Sequence, residues 1–301
     1  MLPSEGISFP APLGVSGADF QQRSELARIW HRFQRNRAAL AGLVVICLIV
    51  ALALAPGLFA PDSPYKLNSA LSGGGPSAAH WFGIDQVGRD VLSRVIYGAR
   101  IAMIVGLSAT GMSLVIGVLI GAVAGYFGGL ADSILMRFVD ALLAFPLLVL
   151  LIALAAALGP SLRNAVIIIG LTVWATYARA VRAEVLSLRE REFIVAARTV
   201  GVSDARIIVR HVLPNVLGPI VVLASLAVAG IILLEAALSF LGLGAQPPTP
   251  SWGSMLSDGR TYILTYPHIA FFPGMAITIT VLAFNLLGDG LRDALDPRTM
   301  N

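Results

Sequence analysis

The sequence predicts an all-α polytopic membrane protein with about six transmembrane helices. The first observation behind this is composition. Hydrophobic residues make up 57% of the 301-residue chain and charged residues only 13%, where a soluble domain carries about 25% charged residues. So few charges cannot coat a water-facing surface, and the mean hydropathy of +0.82 agrees. The second observation is length. A bilayer core of about 30 Å takes roughly 20 apolar residues in a helix, and six stretches qualify: 38–59, 101–126, 134–158, 165–183, 216–241 and 269–287. The third is the placement of the basic residues, which gather in and beside alternate connections rather than on one polar domain.

The elements follow in order. Residues 1–22 are rich in Gly, Ser and Pro and read as a tail. Residues 21–37 read as a basic amphipathic helix at the membrane surface, with Leu26, Ile29, Trp30 and Phe33 on one face. Together, 1–37 form a cytoplasmic tail and surface helix ahead of a transmembrane domain at 38–298. Arg35, Arg37, Ala53 and Ala55 also outline a secretory leader, but the apolar run is too long and too deep in the chain for that. A long external loop is expected at 61–100, with a turn at Gly73-Gly74-Gly75, and a second at 242–267, with Pro247, Pro248 and Pro250.

Two spans carry ionisable residues, which cost roughly 2.5–3.5 kcal/mol at the bilayer centre and should face protein or water. Arg137 and Asp140, spaced i, i+3, can pair with each other or with a neighbouring helix, and a structural ion pair is the preferred reading. Glu235 falls roughly 30 Å along the fifth helix from Pro214. It could line a polar path across the membrane. It could equally anchor a packing contact, since Ala227, Ala229, Gly230, Ala236 and Ala237 allow close helix approach. After the last span, Asp289 and Asp293 flank Arg292 in a cap or subunit contact.

Fifteen basic residues fall in or beside the N-terminal segment, the second loop, the fourth loop and the C-terminal tail, against six elsewhere. The positive-inside rule then places both termini in the cytoplasm. The same pattern accounts for a pI near 9.6 without nucleic acid as a partner. The single cysteine, Cys47, sits in an apolar run and cannot form an internal disulfide. His31, His80, His211 and His268 lack metal-ligand spacing. There is no phosphate-binding loop of the G-x-x-x-x-G-K-[S/T] type and no nucleophile elbow. The chain is therefore expected not to be an enzyme and to hold no cofactor itself.

Residues 184–214, between spans four and five, are too polar to enter lipid. Residues 189–200 read as a helix, and Gly201 can supply the left-handed position that ends it. Ser203 suits an N-cap and Asp204 the first turn of a second helix, which carries Ile207, Ile208 and Val212 and stops before Pro214. The product is a helix–turn–helix hairpin. A solvated connector is the plain alternative. The apolar run Phe193-Ile194-Val195 and the small residues Ala196, Ala197 and Gly201 instead suggest a surface on which a partner docks.

Val195-Ala196-Ala197-Arg198-Thr199-Val200-Gly201, followed by Leu213-Pro214, resembles the Glu-Ala-Ala…Gly…Leu-Pro signature of bacterial ABC importer permeases. Val195 stands where the signature has Glu, and His211 where it often has Ile; Glu192 is the nearby acid that could replace the missing charge. The stretch from His80 to Arg94, Gly125-Tyr126-Phe127-Gly128-Gly129, Met136-Arg137-Phe138-Val139-Asp140, Leu238-Ser239-Phe240-Leu241-Gly242-Leu243-Gly244, the Pro247–Gly253 run and the Asn285–Pro297 tail resemble the dipeptide, oligopeptide and glutathione branch. The resemblance covers roughly residues 30–298.

It implies a type I ABC importer permease fold in which the hairpin is the coupling helix. Glu192, Ala196, Ala197, Gly201, Asp204, His211, Leu213 and Pro214 would then meet an ATPase. It further implies a heterodimer with a second permease subunit, two ATP-binding subunits that carry ATP and Mg, an extracytoplasmic solute-binding protein, and a bacterial inner-membrane location. Nickel-complex permeases share these motifs, so the solute stays open. An ATP-independent carrier or channel is the rival from another class, and would show paired acids in two related halves. A membrane-anchored assembly or receptor protein is a third.

Overall fold

The computed structural model describes residues 25–295, and among these the secondary structure is helical apart from an isolated bridge between Ile84 and Asp90. The expected tail at 1–22, the side chains of Leu26 and Ile29, and Arg298 lie outside the described residues. A surface helix α1 (Glu25–Arg35) leads into α2 (Arg37–Leu54), whose start is capped by Asn36 accepting from the Ala39 N–H. A short α3 (Pro56–Phe59) follows, with Pro56 at its first position, where a missing N–H costs nothing. The next long helix, α4 (Val91–Phe127), begins ten residues before the expected Ile101. Asp90 caps it by accepting from the Ser93 N–H, so Arg94 and Arg100 belong to the helix and not to the loop. Hydropathy misses these turns because they hold polar residues that the fold itself buries.

The expected third span is not one helix. It divides into α5 (Gly129–Leu143) and α6 (Leu147–Leu158), bent by 84°. Pro146 lacks an N–H and pushes the residue before it out of the helical region. Then come α7 (Leu162–Arg189), α8 (Glu192–Thr199), α9 (Asp204–Ile207), α10 (Leu213–Phe240), α11 (Trp252–Arg260) and α12 (His268–Leu295). Among the described residues, five helices are long and apolar enough to cross a membrane, or six if the bent α5–α6 pair is one span.

Topology shows that the pair does cross. The end of α4 lies beside the end of α7, where Arg189 Nη1 donates to the Gly125 carbonyl at 3.2 Å. The two helices run parallel, with Gly117, Gly121 and Gly125 meeting Trp174, Ala178 and Arg182 in turn, so the start of α7 lies at the other end of the bundle. The chain between them must therefore traverse it. Both described chain ends also lie together, with Asn36 reaching Asp293 at 3.4 Å and Phe33 buried against Ala39 and Ala294.

The tightest helix pair is α4 with α7. Gly117, Gly121 and Gly125 recur every fourth residue on α4, and a methyl on Gly121 would sit 2.5 Å from the Ala178 carbonyl oxygen. One on Gly117 or Gly125 would meet the carbonyl of Trp174 or Arg182 at 2.9 Å. In lipid, where no hydrophobic effect presses helices together, such small-residue seams supply the contact. At the end of the bundle near Trp252, that indole donates to the Val95 carbonyl at 2.9 Å and lies over Gly98, pinning α11 to α4.

Candidate functional site

The hairpin stands at the bundle end that also holds Gly125 and Arg189. Its first helix, α8, closes as expected at Gly201, which has φ +77°. The Val202 N–H bonds the Ala197 carbonyl and the Gly201 N–H bonds Arg198, satisfying carbonyls that the helix end leaves open. Ser203 has the extended backbone of a cap, but its side chain makes no capping bond; only its carbonyl begins α9. Asp204 is used otherwise. Its carboxylate accepts from Tyr126 Oη at 2.6 Å, and the same hydroxyl accepts from Arg198 Nε at 3.2 Å. The Arg198 guanidinium also lies 4.6 Å from the centre of the Tyr126 ring, a cation–π arrangement. Below this polar tie, Ile194, Ile207 and Val212 are fully buried against Val181, Val185 and Leu188 of α7.

The second hairpin helix does not stop before Pro214, which corrects the sequence expectation. Residues 208–212 form a π-turn, and Asp204–Phe240 passes as one helix of 37 residues. A proline in a regular helix would strike the carbonyl four residues back; the wider turn just before it relieves that crowding. His211 contributes its carbonyl, which accepts from Asn215 at 2.6 Å, and Leu213 packs at the edge of the buried cluster. Ala196 is exposed and Ala197 half-buried. Glu192 lies exposed one turn before exposed Val195, on the same face. Phe193, Val195, Val200 and Val209 also point away from the bundle.

Glu235 is buried, at 1% exposure, and accepts from Ser239 Oγ at 2.6 Å. Ser239 Oγ in turn accepts from the Ala245 N–H at 3.2 Å. The acid thus fastens the chain leaving α10 back onto that helix. Of the two sequence readings, the geometry within this chain is that of a packing anchor.

Arg137 and Asp140 do not pair with each other. Asp140 binds Arg179 of α7 at 2.5 Å, and Asp132 holds Arg182 through both carboxylate oxygens, one at 2.6 Å. Arg137 has no ion-pair partner among the described residues. Helical spacing put Arg137 and Asp140 within reach, but α5 packs on α7, and the antiparallel helix offers Asp140 the closer cation.

At the opposite end, the loop before α4 is held by buried charges. Asp85 accepts from Arg89 Nε at 2.6 Å and from the Val87 and Arg89 N–H groups. Arg94 lies 3.7 Å from Asp85 and 3.9 Å from Asp258 of α11. Asp90 meets His80 Nδ1 at 3.0 Å, and His268 Nε2 contacts the Ile84 carbonyl at 3.0 Å. Outside the spans, the Lys66 ammonium holds the Asp62 carboxyl below its usual range.

Sequence reasoning missed Tyr126, Asp132 and Asp85 as contact residues. For Tyr126 and Asp85 the signal was present, since both lie in the motifs quoted above. The seam of Gly117, Gly121 and Gly125 was equally visible at its spacing of four. Only the partners were hidden.

A helical bundle of five crossings, or six with the bent pair as one, and a hairpin continuous with the helix Asp204–Phe240 together define a class of protein: a polytopic membrane protein. Comparison with known proteins makes this specific. Residues 117–301 match the family described as "binding-protein-dependent transport system inner membrane component", and residues 24–72 match the "N-terminal TM domain of oligopeptide transport permease C". The chain is 46% identical to the dipeptide transport system permease protein DppC of Alkalihalophilus pseudofirmus, over 89% of this chain and 88% of that one. It is 42% identical to the glutathione transport system permease protein GsiD of Pectobacterium atrosepticum, over 93% of each chain. It is 43% identical to GsiD of Escherichia coli O157:H7, over 92% of each. The chain belongs to the family of binding-protein-dependent transport permeases, in its dipeptide, oligopeptide and glutathione branch.

Proposed function

We propose that this chain is one permease half of an ATP-driven peptide importer in a bacterial inner membrane. It encloses the path together with a second, related permease, and receives force from two ATPase subunits that carry ATP and Mg. An extracytoplasmic binding protein delivers the solute. Both termini and the hairpin face the cytoplasm, in keeping with the excess of basic residues on that side.

The observation that carries this reading is the fusion of the hairpin to the fifth crossing. Ile194 and Ile207 are fully buried in the bundle, while Phe193, Val195, Val200 and Val209 stand exposed around them. Such a part is rigid on its inner side and apolar on its outer side. Through the continuous helix Asp204–Phe240, a push on the hairpin becomes a movement of a membrane-crossing helix. Glu192, on the Val195 face, supplies an acid near the place where related hairpins carry Glu. The relatives' names point to dipeptide or glutathione as the solute.

The test is reconstitution of the chain with its neighbouring permease, ATPase and binding-protein subunits in proteoliposomes. ATP-dependent uptake of labelled dipeptide or glutathione is expected, together with crosslinking of Val200→Cys to an ATPase. Uptake that needs no ATP, or a chain that assembles only with copies of itself, would point to the carrier reading. ATP-driven uptake of a nickel complex but of neither peptide would replace the solute.

A further inference from the structure

The charged face of α5 and α7 poses a physical problem that the fold alone does not answer. Asp140 and Arg179 keep 63% and 54% of their side-chain surface exposed, and Arg137 is exposed beside them. Asp140 is roughly 16 Å along α5 from Gly129, and Arg179 is roughly 15 Å along α7 from Arg189, at 1.5 Å per residue. The two helix ends are level, so this pair lies about 15 Å along the bundle from its hairpin end, inside the expected spans 134–158 and 165–183. Charges at that depth face protein or water, not lipid.

Beside them opens a cavity of about 540 Å³, lined by Asp132, Ser133, Met136, Arg137, Asp140 and Arg182. Its lining carries two acids and two cations, but Asp140 pairs outside it with Arg179. Asp132 takes Arg182, Asp140 takes Arg179, and Arg137 has no ion-pair partner among the described residues. The bent α5–α6 pair places this wall on a face that no other element of the described chain covers; much of α5 stays exposed, including Leu130, Ile134 and Phe138.

We propose that this face lines the aqueous route and that Arg137 is a transient binding residue for the carboxylate of a passing peptide. The proposal rests on the peptide-importer reading above. Two salt bridges fix the wall and leave Arg137 without an ion-pair partner among the described residues, and a carboxylate is its natural counter-charge. Water in the route screens the contact, so the anion is held weakly enough to leave.

The single native cysteine makes the test direct. In the assembled complex carrying Cys47→Ser and keeping Arg137, Ser133→Cys on the same wall should react with a charged, water-soluble methanethiosulfonate. Dialanine should protect it during turnover, and dialanine C-terminal amide should not. In parallel, Arg137→Gln should lower dialanine uptake about tenfold relative to uptake of the amide, with Arg137→Lys retaining most of it. If Ser133→Cys fails to assemble, Met136→Cys on the same wall reads the same accessibility. Absent labelling, equal protection by acid and amide, or an equal fall in both uptakes would overturn the proposal. Loss of the second permease on purification of both Arg137→Gln and Arg137→Lys would also overturn it, by making Arg137 a subunit contact. The peptide-importer reading fails separately, if the unaltered complex hydrolyses ATP yet imports neither peptide.

Discussion

Tyr126 Oη lies 2.6 Å from Asp204 Oδ1, joining the end of the second crossing to the start of the helix that becomes the fifth. The same hydroxyl receives Arg198 from the other arm of the hairpin. One phenol therefore ties both arms to α4, above an apolar plug of Ile194, Ile207 and Val212. The plug holds the hairpin on the bundle; the phenol sets its angle.

Tyr126→Phe keeps the ring over which Arg198 sits and removes only the hydroxyl. Assembly should survive, since the apolar plug is untouched. The hydrogen bond to an ionised partner is of the kind worth roughly 1.5–3 kcal/mol. We expect ATP hydrolysis to continue with transport per ATP reduced several-fold. Simultaneous measurement of uptake and phosphate release checks this; an unchanged ratio would show that the tie does not set the hairpin.

Gly121→Ala adds one methyl at a point 2.5 Å from the Ala178 carbonyl oxygen. Backbone cannot swing aside as a side chain can, so α4 and α7 must separate. Overpacking of this sort costs roughly 1–3 kcal/mol. The expected result is a clear fall in the melting temperature of the purified complex. Gly111→Ala, where an added methyl meets nothing within 4 Å, is the control and should be nearly silent.

Glu235→Gln should transport normally, because the amide oxygen can still accept from Ser239. Glu235→Ala removes that acceptor in a buried site and should destabilise the complex by roughly 1–3 kcal/mol. Thermal unfolding and uptake together make the distinction. A Gln variant that folds well and transports poorly would return Glu235 to the path.

Asp85→Asn leaves Arg89 and Arg94, both largely buried, with less counter-charge. Removing one partner of a buried ion pair is costly, about 3–5 kcal/mol. The loop before α4 should loosen. Faster proteolysis within 61–90, with α4 itself intact, is the expected signature; unchanged cleavage would mean that Asp258 and the backbone suffice.

Much of this was legible in the chain. Six apolar runs, the excess of Arg at alternate connections and the interruption at 184–214 follow from what lipid demands of any backbone, and need no partner residue to be read. Gly201 was legible for the same reason, since a left-handed turn favours glycine whatever surrounds it. Contacts were another matter. Arg137 and Asp140 are neighbours in sequence, yet Asp140 belongs to Arg179, 39 residues on. Pro214 signals a helix end locally, but the packing of Val212 and Val216 on both sides of it holds one helix through a π-turn. Sequence by itself determined that the chain crosses a membrane, how often and where it is interrupted, because burial in lipid is a property of each segment alone. Which charge is paired, which is left free, and whether hairpin and span move as one body depended on antiparallel packing between distant segments, and only the tertiary structure decided those.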